Sequence, residues 1–467
     1  MRLQKFMSLL LSCIMLCLSF QANCLSIYAE ALSAAEPTTD SDGTQAWNKS
    51  LGTDAYPQFS GKAVSYISEQ GEEVYSNTNI SCNNHSYVNG ICKTCGEYEV
   101  PTLENGAYQL SNYGELVWFQ QYVDADNTGA NAVLTADITA NKNLLNKDGS
   151  VSDVPVYKWV PIGRSLQYTG TFDGNGHIIS GLYSYYTDVY CGLFAKMKGT
   201  IKNLGIVDSY FGGKDCYNAA SFAGIGYLNS VIENCFSDSS VVGSMYCGGI
   251  AGQTTGKISN CYYIGKITAD STDSNAISSD KYNYGALENC YYLESCGLST
   301  TRAVGKTAEQ FASGDVCYIL KSSENNLVWG QNLSSEGSMP VLTSDEELRV
   351  YRVTTVKDDA SSSYYSNSSC TLPADDTGYW IDENGKVLYS PAKITKDTTI
   401  TFKQFVSVLG DVNQNGKVEK ADAAAVLRHV SGISLISDEA ELLLADVNRD
   451  GNVDVRDAVE IIKKAAA

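Results

Sequence analysis

Basic residues and histidine are scarce in this chain of 467 residues. Its 33 lysines and arginines are outnumbered by 53 aspartates and glutamates, and only three histidines are present. The formal net charge of −20 argues against nucleic-acid binding, which needs a basic face. The central region contains a single histidine, His177, so a catalytic thiol there would have almost no choice of neighbouring base.

Long apolar runs are also missing, apart from one near the N-terminus. Residues 6–20 are apolar and follow two basic residues. The run is too short for a comfortable membrane span, and small residues at Ala29 and Ala31 offer a cleavage site. We predict a signal peptide over residues 1–31 and a secreted, extracellular protein without membrane insertion.

Tyrosine and glycine, by contrast, are abundant, with 31 and 40 residues. This composition favours a β-rich, turn-rich fold, and the length indicates about three domains. We divide the chain into a signal peptide at 1–31, a linker with a tryptophan-containing remnant element at 32–81, a Cys/His knob at 82–97, a β-helix at 100–345, a small β module at 346–406 and a helical module with two loops at 407–467.

The remnant element is suggested by a repeated string. WNKSLGTDAYPQF begins at Trp47, and WGQNLSSEGSMPVL begins at Trp329. In both, leucine follows tryptophan by four residues, and proline comes six or seven residues after that leucine. We interpret the pair as one closing element used twice, the first copy being left over from a lost upstream module.

The Cys/His knob reads CNNHSYVNGICKTCG over residues 82–96, a C-x2-H pair and a C-x2-C pair separated by six residues. Sulfur and imidazole ligands at this spacing suit tetrahedral Zn²⁺, and a site with four protein ligands would be structural. The alternative, two disulfides, suits an oxidising compartment and stays open. The candidate ligands are Cys82, His85, Cys92 and Cys95.

The central region repeats itself at spacings of 26 to 31 residues. Repeats of this length with β-like alternation indicate a solenoid, here a parallel β-helix, whose units bury a core by stacking. Each copy has an asparagine two residues after an isoleucine or leucine. Asparagine tolerates left-handed backbone angles, so we expect these residues to stack at corners and to bond through their amides. The copies are GTIKNLGIV (199–207), SVIENCFSD (230–238), GKISNCYYI (256–264) and GALENCYYL (285–293), with Asn203, Asn234, Asn260 and Asn289.

Cysteine follows the asparagine in three of these copies. Cys235, Cys261 and Cys290 would form a parallel ladder inside the stack. Free cysteine is small and readily buried, so we interpret the ladder, and likewise Cys191 and Cys247, as packing rather than disulfides. The redox state of the ladder stays open.

Two further strings connect this region with a known repeat. GTFDGNGHIISGLY at 170–183 is followed by GLFAKMKGTIKNLGIV at 192–207. With the repeats, they resemble the GLUG-type repeat family of secreted bacterial proteins over residues 100–345. The resemblance implies a right-handed β-helix of surface and adhesion-like proteins and does not imply a catalytic site. Residues 266–284 are polar and depart from the pattern, so the stack is expected to end or bulge there.

Local signals predict the remaining elements. Leu116, Phe119 and Val123 lie on one face of a short capping helix. TAEQ at 307–310 gives a capping box for a second helix through Leu320. In DGNGH, no further acidic ligands follow, so we interpret this string as a tight turn rather than a calcium loop.

The small β module has alternating segments around an ENGK turn, a pattern typical of a β spacer in cell-surface proteins. Trp380, Tyr379 and Tyr389 could stack on a sugar ring. Packing on a β face is the interpretation we favour for them.

The C-terminal region carries one loop twice, starting at Gly410 and at Ala445. Each copy contains D-x-N-x-[ND]-G-x-V-x-x-x-D followed by an apolar-periodic helix. A hard cation takes several oxygen ligands from one short loop, so the spacing predicts two Ca²⁺ sites. With Lys417 and Asn452 as carbonyl ligands, the predicted sets are Asp411, Asn413, Asn415, Lys417 and Asp422, and Asp446, Asn448, Asp450, Asn452 and Asp457.

These loops resemble the type I dockerin family over residues 409–467. They differ from a paired EF-hand calcium sensor, because no long helix precedes the first loop. The resemblance implies binding to a cohesin domain of a scaffold protein, through loop positions 10 and 11 and the following helix. These contacts are basic in an acidic protein, so we expect an acidic cohesin face. They are Lys420, Ala421, Arg428 and His429 in the first copy, and Val455, Arg456, Lys463 and Lys464 in the second.

Two hypotheses remain for the β-helix. It is either a non-catalytic carbohydrate-binding or adhesion module, or a glycoside hydrolase or polysaccharide lyase, since dockerins often carry such enzymes. Glycoside hydrolysis usually needs two facing carboxylates, and Asp208 and Asp238 are out of register by one residue. We therefore expect a secreted, non-catalytic component of a cellulosome-like complex in polysaccharide catabolism, attached to a scaffold or cell surface.

Overall fold

The computed structural model describes residues 85–152, 157–185, 190–279, 285–320, 323–324 and 327–467, with two short strands before them. It divides into two compact units, residues 1–99 and 100–467. The predicted signal peptide, the Trp47 element and Cys82 lie outside the described residues. Among the helices that are described, none combines the length and apolar character needed to span a bilayer.

The first unit contains short antiparallel hairpins. Asn89 and Gly90 have φ of 48° and 75° and join two strands whose register pairs Tyr87 with Cys92. Positive φ at both central residues is the signature of a tight two-residue hairpin turn. The strands are β1 (Ser65–Ile67), β2 (Glu73–Tyr75), β3 (Tyr87–Val88) and β4 (Ile91–Cys92).

The second unit begins with the solenoid, which confirms the expected mostly β fold with a parallel β-helix. Every strand pair in it is parallel except the first hairpin. Its strands are β5 (Thr102–Glu104), β6 (Ala107–Leu110), β7 (Asn131–Leu134), β8 (Ile138–Thr139), β9 (Thr171–Asp173), β10 (Ile178–Ser180), β11 (Tyr183–Ser184), β12 (Phe194–Met197), β13 (Thr200–Val207), β14 (Tyr210–Gly212), β15 (Ala223–Gly226), β16 (Val231–Ser237), β17 (Ser240–Gly243), β18 (Ala251–Thr254), β19 (Lys257–Ser259), β20 (Tyr262–Tyr263), β21 (Lys266–Ala269), β22 (Ala286–Glu288), β23 (Tyr291–Leu293) and β24 (Val304–Lys306).

Successive turns of the solenoid add strands to three stacked sheets. One runs β5–β6–β7–β9–β13–β16–β20–β23–β24 with β8, β10, β19 and β22 attached, the second is β11–β14–β17–β21, and the third is β12–β15–β18. The polar segment after residue 266 does not end the stack: β21 pairs with β17, and β22 returns to pair with β19. The described part of this rung buries the polar residues Ser274, Asn275 and Ser278 beside the apolar Ile267, Ala276 and Ile277.

The asparagine corners are confirmed. All four asparagines have φ between 51° and 54°. The Nδ2 of Asn234 donates to the Oδ1 of Asn203 at 3.1 Å, that of Asn260 donates to Asn234 at 3.3 Å, and that of Asn289 donates to Asn260 at 2.7 Å. The ladder continues downwards, where Asn203 donates to the carboxylate of Asp173 at 3.1 Å. Each amide thus satisfies the next across the rungs.

The ladder cysteines are buried, unpaired thiols, as the packing interpretation requires. Register places Cys235, Cys261 and Cys290 one above another, and each thiol donates to the carbonyl two residues before it, at 3.1 to 3.4 Å. Burial raises the pKa of the Cys261 and Cys290 thiols, so these groups stay protonated. Cys191 is also buried, and its sulfur lies 3.0 Å from that of Cys216.

Helices close both ends of the solenoid. In α1 (Tyr113–Asp124), the predicted Leu116, Phe119 and Val123 are all fully buried. The capping box of Thr307 and Gln310 is present, but the expected single helix is interrupted at Gly314, whose φ is 90°. The result is two short helices, α2 (Ala308–Ala312) and α3 (Asp315–Leu320). Two 3-10 turns lie at Glu294–Cys296 and Glu346–Leu348.

The DGNGH string forms the predicted tight turn. Asn175 and Gly176 have φ of 50° and 84°, and the N–H of His177 donates to the Gly174 carbonyl at 2.8 Å. The His177 ring contacts the Asp137 carboxylate at 3.1 Å. This histidine therefore braces a corner against the neighbouring rung.

A small antiparallel sheet links the solenoid to the β module, whose own sheet has five strands in the order β29 (Ala360–Ser366), β28 (Tyr351–Lys357), β34 (Thr398–Gln404), β31 (Gly378–Ile381) and β32 (Val387–Leu388). Trp380 is buried against Phe402 and donates from its indole N–H to the Pro373 carbonyl at 2.9 Å, so it packs as we favoured. The linking strands are β25 (Ser323–Glu324), β26 (Leu327–Gly330) and β27 (Val341–Thr343). The module also contains β30 (Ser369–Cys370) and β33 (Ala392–Lys393).

Three helices form the C-terminal region: α4 (Lys420–Val430), α5 (Glu439–Ala445) and α6 (Val455–Ala466). Their shared core includes Val412, Val426 and Ile461, each no more than 2% exposed. Helices α4 and α6 each begin at the end of one of the two loops, so the loop repeat and the helix repeat are the same duplication.

Candidate metal centres

The Cys/His knob brings three of its four candidate ligands together. His85 precedes β3, Cys92 ends β4, and Cys95 lies in the turn that follows. Their ligand atoms lie within 4.8 Å of one another, and the Cys95 sulfur is 3.3 Å from the Nδ1 of His85. Gly96, at φ 73°, returns its N–H to the Cys92 carbonyl at 2.9 Å and closes the turn.

The local backbone favours the thiolate form of Cys92. Burial raises the pKa of this thiol, but hydrogen bonds from the backbone at Cys95 and Thr94, together with the His85 ring, outweigh burial and bring the pKa down to about 5. The thiolate is the form of cysteine that binds metals. The donor set of two sulfurs and one imidazole fits Zn²⁺.

Each C-terminal loop is built around two buried carboxylates, at loop positions 1 and 12. In the first loop these are Asp411 and Asp422, both 0% exposed. Asp411 accepts hydrogen bonds from the backbone N–H groups at positions 5 and 6, at 3.0 and 2.7 Å, and from the Ser407 hydroxyl. Asp422 accepts from the N–H groups at positions 3 and 9, at 3.1 and 2.8 Å. The loop backbone therefore surrounds the two carboxylates and directs its N–H groups at them.

The second loop repeats this pattern. Asp446 accepts from positions 5 and 6 at 3.2 and 3.0 Å, and Asp457 accepts from positions 2, 3 and 9 at 2.9, 3.2 and 2.8 Å. The position 6 glycines, Gly416 and Gly451, have φ of 88° and 84° and make the predicted sharp turn. The side chains at positions 3 and 5 lie at the exposed rim: Asn413, Asn415, Asn448 and Asp450.

The charge of these loops fits a divalent cation. Carboxylates that are buried and bonded mainly to neutral N–H groups are costly unless a positive charge compensates them. Burial, together with the nearby Asp457 and Asp450, raises the pKa of Asp446 to about 6. Oxygen donors of this number and charge match the preference of Ca²⁺.

Residues 409–464 match the family model described as "Dockerin type I domain". The C-terminal region is a type I dockerin domain. Dockerin domains of this type generally bind calcium, and dockerin domains bind cohesin domains in cellulosome-like complexes. The two loops and helices α4 to α6 are the parts of the chain that form the dockerin.

A comparison with curated proteins gives no match. Among solved structures, the chain is similar to the crystal structure of "a putative immunoglobulin A1 protease from Bacteroides ovatus". The identity is 20%, the TM-score is 0.36, and the alignment covers 54% of this chain and 96% of that one. A likeness at this level carries no argument about the solenoid.

Most of the predicted cohesin contacts lie on the dockerin surface, but they are not equally free. Arg456 contacts the carboxylates of Asp450 and Asp454, each at 2.6 Å, which ties it to the second loop. His429 is half-buried and accepts a hydrogen bond from the Ile436 N–H at 3.0 Å, so this ring holds the segment after α4. The positions with exposed side chains are Lys420, Ala421, Arg428, Val455, Arg456, Lys463 and Lys464. Among them, Lys463 pairs with Glu460 at 2.6 Å and Lys464 donates to the Leu409 carbonyl at 3.4 Å.

Sequence reasoning missed an apolar strip on the dockerin. Along α6, Val455, Val459 and Ile462 are 52%, 46% and 44% exposed, whereas Ala458 and Ile461 face the core. The signal is present in the sequence, because α6 has apolar residues at helical spacing on two faces rather than one. Helix α4 exposes two further apolar side chains, Leu427 and Val430.

Asp208 and Asp238 lie together in a cleft of about 480 Å³, beside the loop at residues 143–151. Asp208 is already engaged, because its carboxylate oxygens accept the N–H groups of Leu144 and Leu145, both at 2.8 Å. Asp238 accepts the Asp208 N–H at 2.7 Å, and burial raises the pKa of its carboxyl although the side chain stays open to the cleft. Asp208 thus anchors a loop, and the pair is not arranged as two free acids.

Proposed function

We propose that this protein is a secreted, extracellular component of a cohesin–dockerin complex in polysaccharide catabolism, held on a scaffold or cell surface by its dockerin. The observation that carries the proposal is the duplicated loop around buried carboxylates, within a region that matches the dockerin family. The chain is acidic, with a net charge of −20, so a local cluster of basic residues suits recognition of an acidic docking partner.

Each loop would hold one Ca²⁺, giving two ions per chain. The carboxylates at positions 1 and 12 would neutralise the ion, the side chains at positions 3 and 5 would complete its oxygen set, and the backbone carbonyl at position 7 would add a neutral ligand. Without metal, the buried carboxylates repel, so the dockerin should lose much of its fold.

The cohesin-binding face would combine the exposed basic residues of α4 and α6 with the apolar strip on α6. In protein interfaces, apolar residues at the centre usually provide affinity, whereas charged residues at the rim steer the approach of the partner. A cohesin face that is acidic around an apolar centre is the partner that this surface fits.

The solenoid would be a non-catalytic carbohydrate-binding or adhesion module of the GLUG-like type. The engagement of Asp208 in loop anchoring supports this over the glycoside hydrolase alternative, since hydrolysis usually needs two available carboxylates. The knob at 82–97 would be a structural zinc site, with Cys82 as fourth ligand. Its three described ligands and the thiolate-favouring backbone at Cys92 support zinc over disulfides.

The test of the dockerin function is calorimetric binding of the full chain to a panel of purified type I cohesins, in calcium and in chelator. We expect binding to at least one cohesin in calcium and none in chelator. A double variant, Asp411→Asn with Asp446→Asn, removes one negative charge from each loop. It should weaken cohesin binding when calcium is limiting. A calcium-loaded chain that binds no cohesin in the panel would contradict the proposal.

The solenoid is tested by incubating the full chain with insoluble plant polysaccharides and measuring both retention and sugar release. We expect retention without release. Release of new reducing or unsaturated ends that Asp238→Asn abolishes would establish the enzyme alternative instead.

A further inference from the structure

The β module and the second calcium loop are in direct contact. Arg449, at loop position 4, donates from its guanidinium to the Asp375 carbonyl at 2.8 Å and lies 3.6 Å from the Asp376 carboxylate. The same group lies over the Phe405 ring, 5.7 Å from its centroid, within cation–π range. One loop side chain therefore makes three kinds of contact with the module.

The acceptor of that hydrogen bond is held in place. The Asp375 side chain forms an ion pair with Lys357 and accepts hydrogen bonds from the N–H and hydroxyl of Thr377, at 3.0 and 2.6 Å. These bonds hold the pKa of the Asp375 carboxyl well below its usual range. Arg449 thus binds a rigid edge of the module rather than a loose loop.

A second contact touches the turn of the calcium loop itself. The ring of Tyr389 lies so close to Gly451 that a Cβ built on this glycine would be 3.2 Å from it. Gly451 is the position 6 residue whose left-handed angle shapes the loop. A cavity of about 340 Å³ adjoins both contacts, and its lining combines Trp380 and Phe405 of the module with Asp446, the position 1 carboxylate of the loop.

The first loop has none of these contacts, although its backbone is the same. Its position 4 residue is Gln414, with φ 57° against 59° for Arg449, and it is exposed. A Cβ on Gly416, the counterpart of Gly451, would meet nothing within 4 Å. The two loops therefore share one conformation but differ at the two positions that the module contacts.

We propose that the β module is an intramolecular partner of the second calcium loop and binds it in its calcium-ordered shape. The contacts require the left-handed angles at positions 4 and 6, and these angles are set by a loop wrapped around its carboxylates. Calcium compensates the negative charge of those carboxylates, so it also orders the loop surface that the module contacts. Because coupling between two binding events is reciprocal, the module must then raise the calcium affinity of the second loop alone. This inference depends on calcium binding as proposed above and adds a partner for one of the loops.

The experiment uses the full chain and hydrogen–deuterium exchange measured against free calcium, which gives a separate midpoint for each loop. Arg449→Gln installs the residue that the first loop carries at the same position, and Tyr389→Ala leaves the dockerin sequence untouched. Gln414→Ala is the control in the first loop. We expect both test variants to raise the calcium midpoint of the second loop about five-fold or more, leaving the first loop within two-fold.

At saturating calcium, Arg449→Gln should also speed exchange around Asp375 in the module, a readout that does not depend on calcium affinity. Midpoints unchanged by both test variants would overturn the inference while leaving calcium binding intact. Equal shifts of both loops would also overturn it, since they indicate general destabilisation. If neither loop responds to calcium, the proposed function and the inference fail together.

Discussion

The asparagine ladder allows a stability effect to be worked out from individual contacts. Asn234 is 3% exposed, has φ 52°, donates one amide hydrogen bond to Asn203 and accepts one from Asn260. Asn234→Ala removes both bonds, each worth about 0.5–1.5 kcal/mol net. It also places a Cβ in the left-handed region without a compensating side-chain bond, at about 1–2 kcal/mol. We expect a loss of about 2–5 kcal/mol from the free energy of unfolding of the solenoid.

Two comparisons separate the contributions. Asn234→Gly loses the same hydrogen bonds but tolerates the left-handed angle, and its larger unfolded-state entropy offsets part of that gain, so it should be more stable than the alanine variant by about 0.5–1 kcal/mol. Asn289, at the exposed end of the ladder, donates to Asn260 and accepts a hydrogen bond from the Tyr291 hydroxyl at 2.6 Å. Asn289→Ala should still cost less than Asn234→Ala, because water can reach the exposed site and replace the lost bonds.

Hydrogen exchange of peptides covering β13 and β16, followed across a urea series, measures this loss without interference from the dockerin. A change below about 0.5 kcal/mol for Asn234→Ala would mean that the ladder bonds are matched by water in the unfolded chain. A larger loss for Asn289→Ala than for Asn234→Ala would refute the reasoning, since burial would then not determine the cost.

Four further predictions follow from the sites. The second loop should bind Ca²⁺ more tightly than the first, because three of its carboxylates rather than two would be direct ligands, and equal calcium midpoints in loop-resolved hydrogen exchange would contradict this. Arg428→Glu should weaken cohesin binding more at low salt than at high salt, measured by calorimetry, and a salt-independent loss would argue against an acidic cohesin face. Metal analysis should find one zinc per chain, lost in Cys92→Ser, whereas a zinc-free chain with oxidised knob cysteines in mass spectrometry would favour disulfides. Cys191 and Cys216 should form a disulfide-linked peptide pair after mild oxidation with diamide, and persistence of both free thiols would show that the site cannot adopt disulfide geometry.

Much of the fold is predictable because the same sequence motif recurs at regular spacing, so each copy supports the interpretation of the others. A single asparagine in a β-like string predicts little, but Asn203, Asn234, Asn260 and Asn289 recur at the spacing of a solenoid rung and so specify one stacked corner. The calcium loops are predictable for a similar reason, since ligand chemistry fixes residue types at fixed positions and the motif occurs twice.

The features that sequence reasoning missed depend on residues far apart in the chain. Nothing around Asp208 indicates that its carboxylate holds the backbone of Leu144, and nothing around Arg449 indicates the Asp375 carbonyl as its acceptor. The helix start at Thr307 was predicted correctly, but the break at Gly314 was not, because a capping box specifies only where a helix begins. Periodicity describes which face of an element is buried, whereas these contacts depend on which elements meet.

The two copies of the dockerin loop share their buried carboxylates but differ in the side chains on their outer surface. Both loops place position 1 and position 12 carboxylates on matching N–H groups, yet Gln414 faces solvent where Arg449 contacts the β module. The helices differ in the same way, since Ala421 is free where Arg456 is held by two loop carboxylates. A cohesin approaching α4 first and one approaching α6 first would therefore meet different charges, different apolar areas and a different distance from the module. Specificity is a difference of affinities, so these exterior differences must separate the two orientations, and the near-symmetry of the calcium sites does not make them equivalent.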